Sequence, residues 1–328
     1  MEILEFNWRE VLSRAISNPK KFAAEFGHLR QSPLRGAEAK LADAEASLFN
    51  TSDRISNREE CLSDCEQKSK RSILDSYLTD PPMPQTAFRL FDGEWSSDIP
   101  GYGGGHAKLF DDSRVRWFAE KCGGFEKKRV LELGPLEGGH TYMLAQRGAQ
   151  VTAIESNTRA FLKCLIVNNS LDFRAKFMLG DFRHYLSTCS EKFDFLLASG
   201  VLYHMSEPAQ LLQDAARVSD TIGIWTHYYD SDVIKCNGDL RHKFDAEPRI
   251  ETIGTRSITS YRQSYLQALE WSSFCGGSAP ISYWLNRDSL LGLLDDLGFA
   301  VSISDDHRTH PNGPAMTLFA QRSRPTQT

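Results

Sequence analysis

The segment Val130-Leu131-Glu132-Leu133-Gly134-Pro135-Leu136-Glu137-Gly138-Gly139 joins an apolar run to a glycine-rich turn. A turn of this kind lets backbone approach a ligand and aims a helix amino terminus at it. A dinucleotide-binding G-x-G-x-x-G would need glycine at position 136, where this chain has Leu136. It would also set a pyrophosphate beside Glu132 and Glu137, an unfavourable pairing of like charges. The same acids suit a ligand that lacks phosphate and carries positive charge. Glu155, 21 residues after Gly134 and followed by Ser156, ends a second apolar run where an acid can accept from both hydroxyls of a ribose. Gly180-Asp181-Phe182 follows a third run and can meet a purine through the Asp181 carboxylate and flanking backbone. Each feature also has a purely structural role: a tight turn for Gly134 and Gly138, and helix caps for Glu155 and Asp181.

The elements that must position these residues are short apolar runs alternating with helices. Residues 129–133, 150–154, 176–179, 193–199 and 221–226 read as strands, which predicts a parallel sheet with helices on both faces. A helix over 112–122 stops at Gly123-Gly124, Gly148 closes the helix after the glycine turn, and Asn157 caps the next. After a helix over 288–297, strands 299–304 and 315–321 are joined by 305–314 with no helix between them. Such a connection makes an antiparallel hairpin at a sheet edge. Residues 229–283 form an insertion rich in aromatic and basic side chains. Residues 1–85 read as a helical accessory region, with Trp8, Val11, Leu12, Ala15 and Ile16 near helical spacing and Pro81-Pro82-Met83-Pro84 as the boundary.

Taken in order, these motifs resemble the class I, Rossmann-like S-adenosylmethionine-dependent methyltransferase family across residues 130 to 322. The resemblance implies an α/β fold with a mostly parallel seven-stranded sheet in the order 3-2-1-4-5-7-6 and an antiparallel final strand. It implies S-adenosylmethionine as cofactor, with Glu132, Gly134 and Gly138 around the methionyl portion, Glu155 on the ribose and Asp181 near adenine. Pro135, Ser156, Phe182 and Ser199 complete the candidate cofactor set. Leu136 departs from the family, which usually has a second glycine there, so the turn is expected to depart in conformation.

Methyl transfer from a sulfonium is an in-line displacement in which holding the nucleophile supplies much of the acceleration. An amine needs little further help, whereas a hydroxyl benefits from a general base. His204, in Val201-Leu202-Tyr203-His204-Met205-Ser206-Glu207-Pro208 beyond the fourth strand, is the candidate catalytic residue. His227 is a second candidate base, and Tyr203 a candidate pocket wall. The insertion carries Arg241, His242, Lys243, Arg249, Arg256, Tyr261, Arg262, Tyr265, Trp271 and Trp284, a mixture that suits a lid recognising an anionic or aromatic small molecule. His307 and His310, with Asp305 and Asp306, read as a solvated turn and not as a metal site.

The expected partner is therefore a small-molecule acceptor. Asp92-Gly93-Glu94-Trp95 and Val201-Leu202-Tyr203-His204 also resemble patches of enzymes that carboxymethylate wobble uridine in tRNA. That alternative calls for a basic surface, for which Lys68-Ser69-Lys70-Arg71 and Lys127-Lys128-Arg129 are the candidates. A cofactor-binding module without turnover is a third reading.

The totals agree with an ordinary globular enzyme: 328 residues, 41% hydrophobic, 25% charged and a formal charge of −5, which gives no global attraction to nucleic acid or anionic membrane. The amino terminus lacks a signal-peptide pattern and no apolar run reaches membrane-spanning length, so a cytoplasmic location is expected. Seven scattered cysteines suggest neither disulfides nor zinc, Cys61 and Cys65 included. The accessory region is a candidate surface for a homodimer.

Overall fold

The strands form because apolar side chains at successive positions are buried on both faces. In the strand Arg129–Leu133, Val130 packs toward one helical layer while Leu131 and Leu133 pack toward the other. A computed structural model describes residues 77–270, 276–277 and 279–322. The expected helical region over residues 1–85 therefore lies largely outside the described residues, as do Cys61, Cys65, the basic run 68–71 and Trp271.

In chain order, the segment before the main sheet holds α1 (Pro84–Phe88), the paired β1 (Asp98–Ile99) and β2 (Gly103–Gly104), and α2 (Ser113–Cys122). The alternating region follows as β3 (Arg129–Leu133), α3 (Gly139–Ala145), β4 (Gln150–Glu155), α4 (Thr158–Ser170), β5 (Ala175–Leu179), α5 (Phe182–Thr188), β6 (Phe195–Ser199), α6 (Pro208–Val218) and β7 (Thr221–His227). The insertion contributes α7 (Ser231–Cys236), α8 (Gly238–Arg241), β8 (Arg249–Ile253), β9 (Arg256–Ser264) and β10 (Ile281–Leu285). The chain returns through α9 (Arg287–Asp296), β11 (Phe299–His307) and β12 (Ala315–Arg322).

The seven main strands lie in the order β11-β12-β7-β6-β3-β4-β5. Counted from β3, this is the expected order 3-2-1-4-5-7-6, and only β12 runs antiparallel to its neighbours. The hairpin differs from expectation in length. A register shift between Ile303 and Asp305 lets Asp305, Asp306 and His307 continue pairing with Thr317, Met316 and Ala315, so the residues expected to form a turn extend the strand.

The caps fall where the side chains dictate. The Asp112 carboxylate accepts from Arg114 N, Asn157 from Ala160 N, and Gly123 ends α2 in the left-handed region at φ 65°. One core layer packs α6 and α9 against Leu131, Leu196, Ile222, Ile224 and Leu318; the other packs α2 and α3 against Val130, Phe195, Leu197 and Phe319. The insertion is a separate antiparallel sheet, β10-β9-β8, attached beside the carboxyl ends of β6 and β7 by the bond from Tyr283 N to Met205 O (2.8 Å).

Candidate active site

Every parallel strand of an open sheet ends in a loop on the same side, and the crevice between those loops is the natural ligand site. Here a cleft of about 620 Å³ opens there, lined by Gly134, Pro135 and Leu136 after β3, Glu155 and Ser156 after β4, Gly180, Asp181 and Phe182 after β5, and Ser199, Tyr203 and His204 after β6. A larger recess of about 880 Å³ lies at the opposite ends of the strands, walled by Lys128, Arg129, Asp194 and Arg322; it contains none of the candidate cofactor or catalytic residues.

The glycine turn is built around two carboxylates, neither of which faces the cleft. Glu137 is fully buried and accepts from Ser96 N (2.9 Å), Ser97 N (2.8 Å) and Lys163 Nζ (3.0 Å). Glu132, on the α3 side of the sheet, accepts from the Thr141 hydroxyl, and burial pushes its carboxyl up to about 8. Glu132, expected around the methionyl portion, and Glu137, expected to favour a cationic ligand by its charge, both lie behind the cleft wall. One is neutralised by a lysine from α4, and the other favours its protonated form at neutral pH. Gly138 also lies below the cleft wall, starting α3 at φ 76°, with Phe177 3.5 Å from where a Cβ would stand.

Leu136 adopts φ 57°, a conformation that glycine takes without penalty. It is held there by donating its N–H to Glu155 Oε2 (3.2 Å) and by packing into the cleft wall. Leu136→Gly should leave stability within about 1 kcal/mol, because strain relief offsets lost burial and greater freedom when unfolded. Leu136→Ile should lose roughly 1–2 kcal/mol, since a β-branched residue tolerates positive φ poorly. Urea unfolding checks the pair, and equal losses would mean that side-chain bulk, not conformation, governs the turn.

Glu155 is buried on the floor of the cleft, accepting from Leu136 N and from Asn157 N (2.8 Å). Burial pushes its carboxyl up, while the N–H groups of Asn157, Leu136 and Ser156 draw it back. Asp181 caps α5 through Arg183 N and also pairs with the Arg183 guanidinium (2.6 Å), which holds its carboxyl below the usual range. Leu179 and Phe182 provide an apolar wall beside it.

Two cleft cations and a histidine were not anticipated. Arg114 lies over the Trp225 ring (4.8 Å) and grips Asp112 through Nε and Nη2, leaving Nη1 without a hydrogen bond among the described residues. Asp112 also meets His140 Nε2 at 2.9 Å; burial would raise its carboxyl, but bonds from His140 and Arg114 outweigh that and hold it well below the ordinary range. Arg183 is the second cation. The signals were local: Asp112-Ser113-Arg114 opens the helix before the sheet, and His140 directly follows the glycine turn.

The insertion's own cations do not line the cleft. Arg249 bonds Ser206 O and Glu207, Arg256 pairs with Asp296, and Arg262 with Asp245, so the expected cationic lid is replaced by surface ion pairs. Its aromatic residues do approach the site. Trp284 stacks on His227 (4.9 Å, 8°), and Tyr203 meets both rings edge-on. His227 is buried with Nδ1 against the carbonyls of Gly313 and Pro314, and burial lowers it to about 4. His310 packs 5.2 Å from the His227 ring and is half-buried, so this part of the expected solvated turn is a wall of the aromatic cluster. His204 lines the cleft, with Nδ1 2.8 Å from the Tyr265 hydroxyl, and burial lowers it to about 3. Asp92-Gly93-Glu94-Trp95 is not on the cleft wall: Lys163 Nζ donates to the Glu94 carbonyl, and Trp95 Nε1 donates to Phe88 O.

The strand order, the antiparallel last strand and the cleft define a class I methyltransferase fold. Residues 131–224 match the methyltransferase domain family. The N-terminal domain of EvdMO1, solved in the presence of SAH and D-fucose, is 26% identical, covering 74% of this chain and 95% of that one at a TM-score of 0.52. A second structure of that domain, with SAH bound, is 24% identical at the same coverage and TM-score. Ribosomal RNA small subunit methyltransferase A of Bartonella tribocorum is 27% identical over 155 residues, 46% of this chain and 53% of that protein. The chain thus spans about half the length of the curated relatives it matches. The chain therefore has the class I methyltransferase fold and carries, over residues 131–224, a segment that matches the methyltransferase domain. No helix among the described residues is long and apolar enough to cross a membrane.

Proposed function

We propose that the chain methylates a hydroxyl group of a small molecule, using S-adenosylmethionine bound between the glycine turn and His204. The observation that carries this reading is a neutral histidine on the wall of a cofactor-sized cleft. At about 620 Å³ the cleft lies within the range of roughly 300–1,000 Å³ usual for small-molecule sites. Glu155 has lone pairs that would accept from ribose hydroxyls, Leu179 and Phe182 would flank the base, and the Nη1 group of Arg114 would suit the methionyl carboxylate. When bound, the cofactor supplies an electrophilic methyl group on a sulfonium.

The rest of the work belongs to the chain. His204 offers an imidazole lone pair to a hydroxyl nucleophile; the burial that lowers it to about 3 also weakens it as a base, so it orients the hydroxyl and takes the proton as the methyl bond forms and the oxygen turns acidic. Tyr203, Trp225 and Met205 line the same cleft and add apolar surface to it. The structure of the EvdMO1 domain with D-fucose supports a sugar hydroxyl as the acceptor class. Against an RNA acceptor, the run Lys127-Lys128-Arg129 leads into the start of β3, at the far end of the strands from the cleft.

SAH at 100 times its Kd should add about 2.7 kcal/mol of stability, read as a rise of several degrees in Tm. Stabilisation by NAD and not by SAH would sink the cofactor assignment. Incubation with S-adenosylmethionine and a panel of free and nucleotide-linked sugars should then yield SAH and a product heavier by one methylene. Salt-sensitive binding of RNA, with no product from the panel, would favour the nucleic-acid alternative.

A further inference from the structure

A phenol from the insertion meets the ring of the candidate base. Tyr265, just after β9, places its hydroxyl oxygen 2.8 Å from His204 Nδ1 and 3.0 Å from the Gly276 carbonyl. A carbonyl can only accept, so the phenol proton belongs to the bond with Gly276. The phenol oxygen must then accept from the histidine, and Nδ1 carries the imidazole proton. The lone pair is left on Nε2, the nitrogen that does not face the phenol.

In water a neutral histidine side chain favours the opposite arrangement, with its proton on Nε2. The observed pairing therefore selects the less common tautomer, and the partner of one ring nitrogen decides what the other can do. Tyr265 is itself buried, and the His204 ring is confined between the ring of Tyr203 (4.1 Å) and that of Tyr265 (5.9 Å). A ring so confined cannot exchange its two nitrogens without breaking the bond to the phenol.

We propose that Tyr265 is a positioning residue for His204, fixing the Nδ1–H tautomer and so keeping the Nε2 lone pair available to the acceptor hydroxyl. This rests on the reading of His204 as the base. It makes the insertion part of the catalytic arrangement: the base is correctly set only when Tyr265 is in place, and the phenol that orients the ring is oriented in turn by the Gly276 carbonyl.

The test is a ¹⁵N-histidine NMR spectrum of the full chain with SAH, with His204 assigned by its loss in His204→Gln. Wild type should show a protonated, pyrrole-like Nδ1 and an unprotonated, pyridine-like Nε2, and Tyr265→Phe should reverse the pattern. A merely structural tyrosine would not move this signature. An Nε2–H tautomer in wild type overturns the proposal whether or not the variant folds, and an unchanged pattern in a folded Tyr265→Phe does the same. The Tm shift with SAH separates the two levels of the argument. Its absence in a wild type that holds the Nδ1–H tautomer would count against the cofactor reading and leave the tautomer assignment standing.

Discussion

Glu137→Gln should lower the unfolding free energy by about 3–5 kcal/mol, the cost of leaving one member of a buried ion pair without its partner. The carboxylate is fully buried, and both oxygens are committed: Oε1 to Ser96 N and Lys163 Nζ, Oε2 to Ser97 N. An amide cannot replace it, since whichever way it turns its NH₂ group faces a backbone N–H. Lys163 would keep its bond to the Glu94 carbonyl and its place over the Trp95 ring at 5.1 Å, but its charge would be buried without a counter-charge. Adding Lys163→Met should recover more than 1 kcal/mol relative to the sum of the single changes, because the second substitution removes that stranded charge. Urea unfolding of the four proteins measures the cycle. A loss below about 1 kcal/mol in Glu137→Gln would mean that the pair is solvated and does not hold the turn.

Glu137 also shows where reading the sequence stops. Its place beside two glycines suggested that it faces a ligand, yet its partners are Lys163 on α4 and two amides near residue 96. No local pattern announces a partner 26 residues ahead or 41 behind. The parallel strands were legible because period-two burial on both faces leaves long apolar runs. Asn157 and Gly123 were legible because a cap acts within a few residues of itself. The strand order came from the ordered motif series as a whole.

The insertion was harder for a related reason. β9 buries Ile258, Ser260 and Gln263 among exposed and half-exposed polar neighbours, so its alternation lacks an apolar signature. Its arginines looked free for a ligand because Asp296, Asp245 and Glu207, which engage them, are distant in sequence or on other elements. The cations that do line the cleft, Arg114 and Arg183, each sit two residues after the aspartate that caps their helix and pair with it. Such an aspartate–arginine pair at a helix start fixes the guanidinium locally, whatever the rest of the chain does.

Glu155→Ala should weaken SAH binding by about 100-fold, equivalent to roughly 2.7 kcal/mol. Two losses combine. Hydrogen bonds from ribose hydroxyls to a carboxylate are charge-assisted and contribute about 1.5–3 kcal/mol. The same carboxylate accepts from Leu136 N, so its removal also frees a residue held at φ 57° in the wall that receives the ligand. Glu155→Gln is not a mild substitute, because Oε1 and Oε2 each already accept a backbone N–H and the amide would set its NH₂ against one of them. It should approach the alanine variant, within about threefold. Asp181→Asn should cost less than tenfold, since Asp181 is partly exposed and Arg183 already occupies much of its carboxylate. Isothermal titration with SAH ranks the three. If Asp181→Asn cost more than Glu155→Ala, the ribose would have to lie against α5 and the adenine elsewhere. A common loss below threefold would move the cofactor out of this part of the cleft altogether.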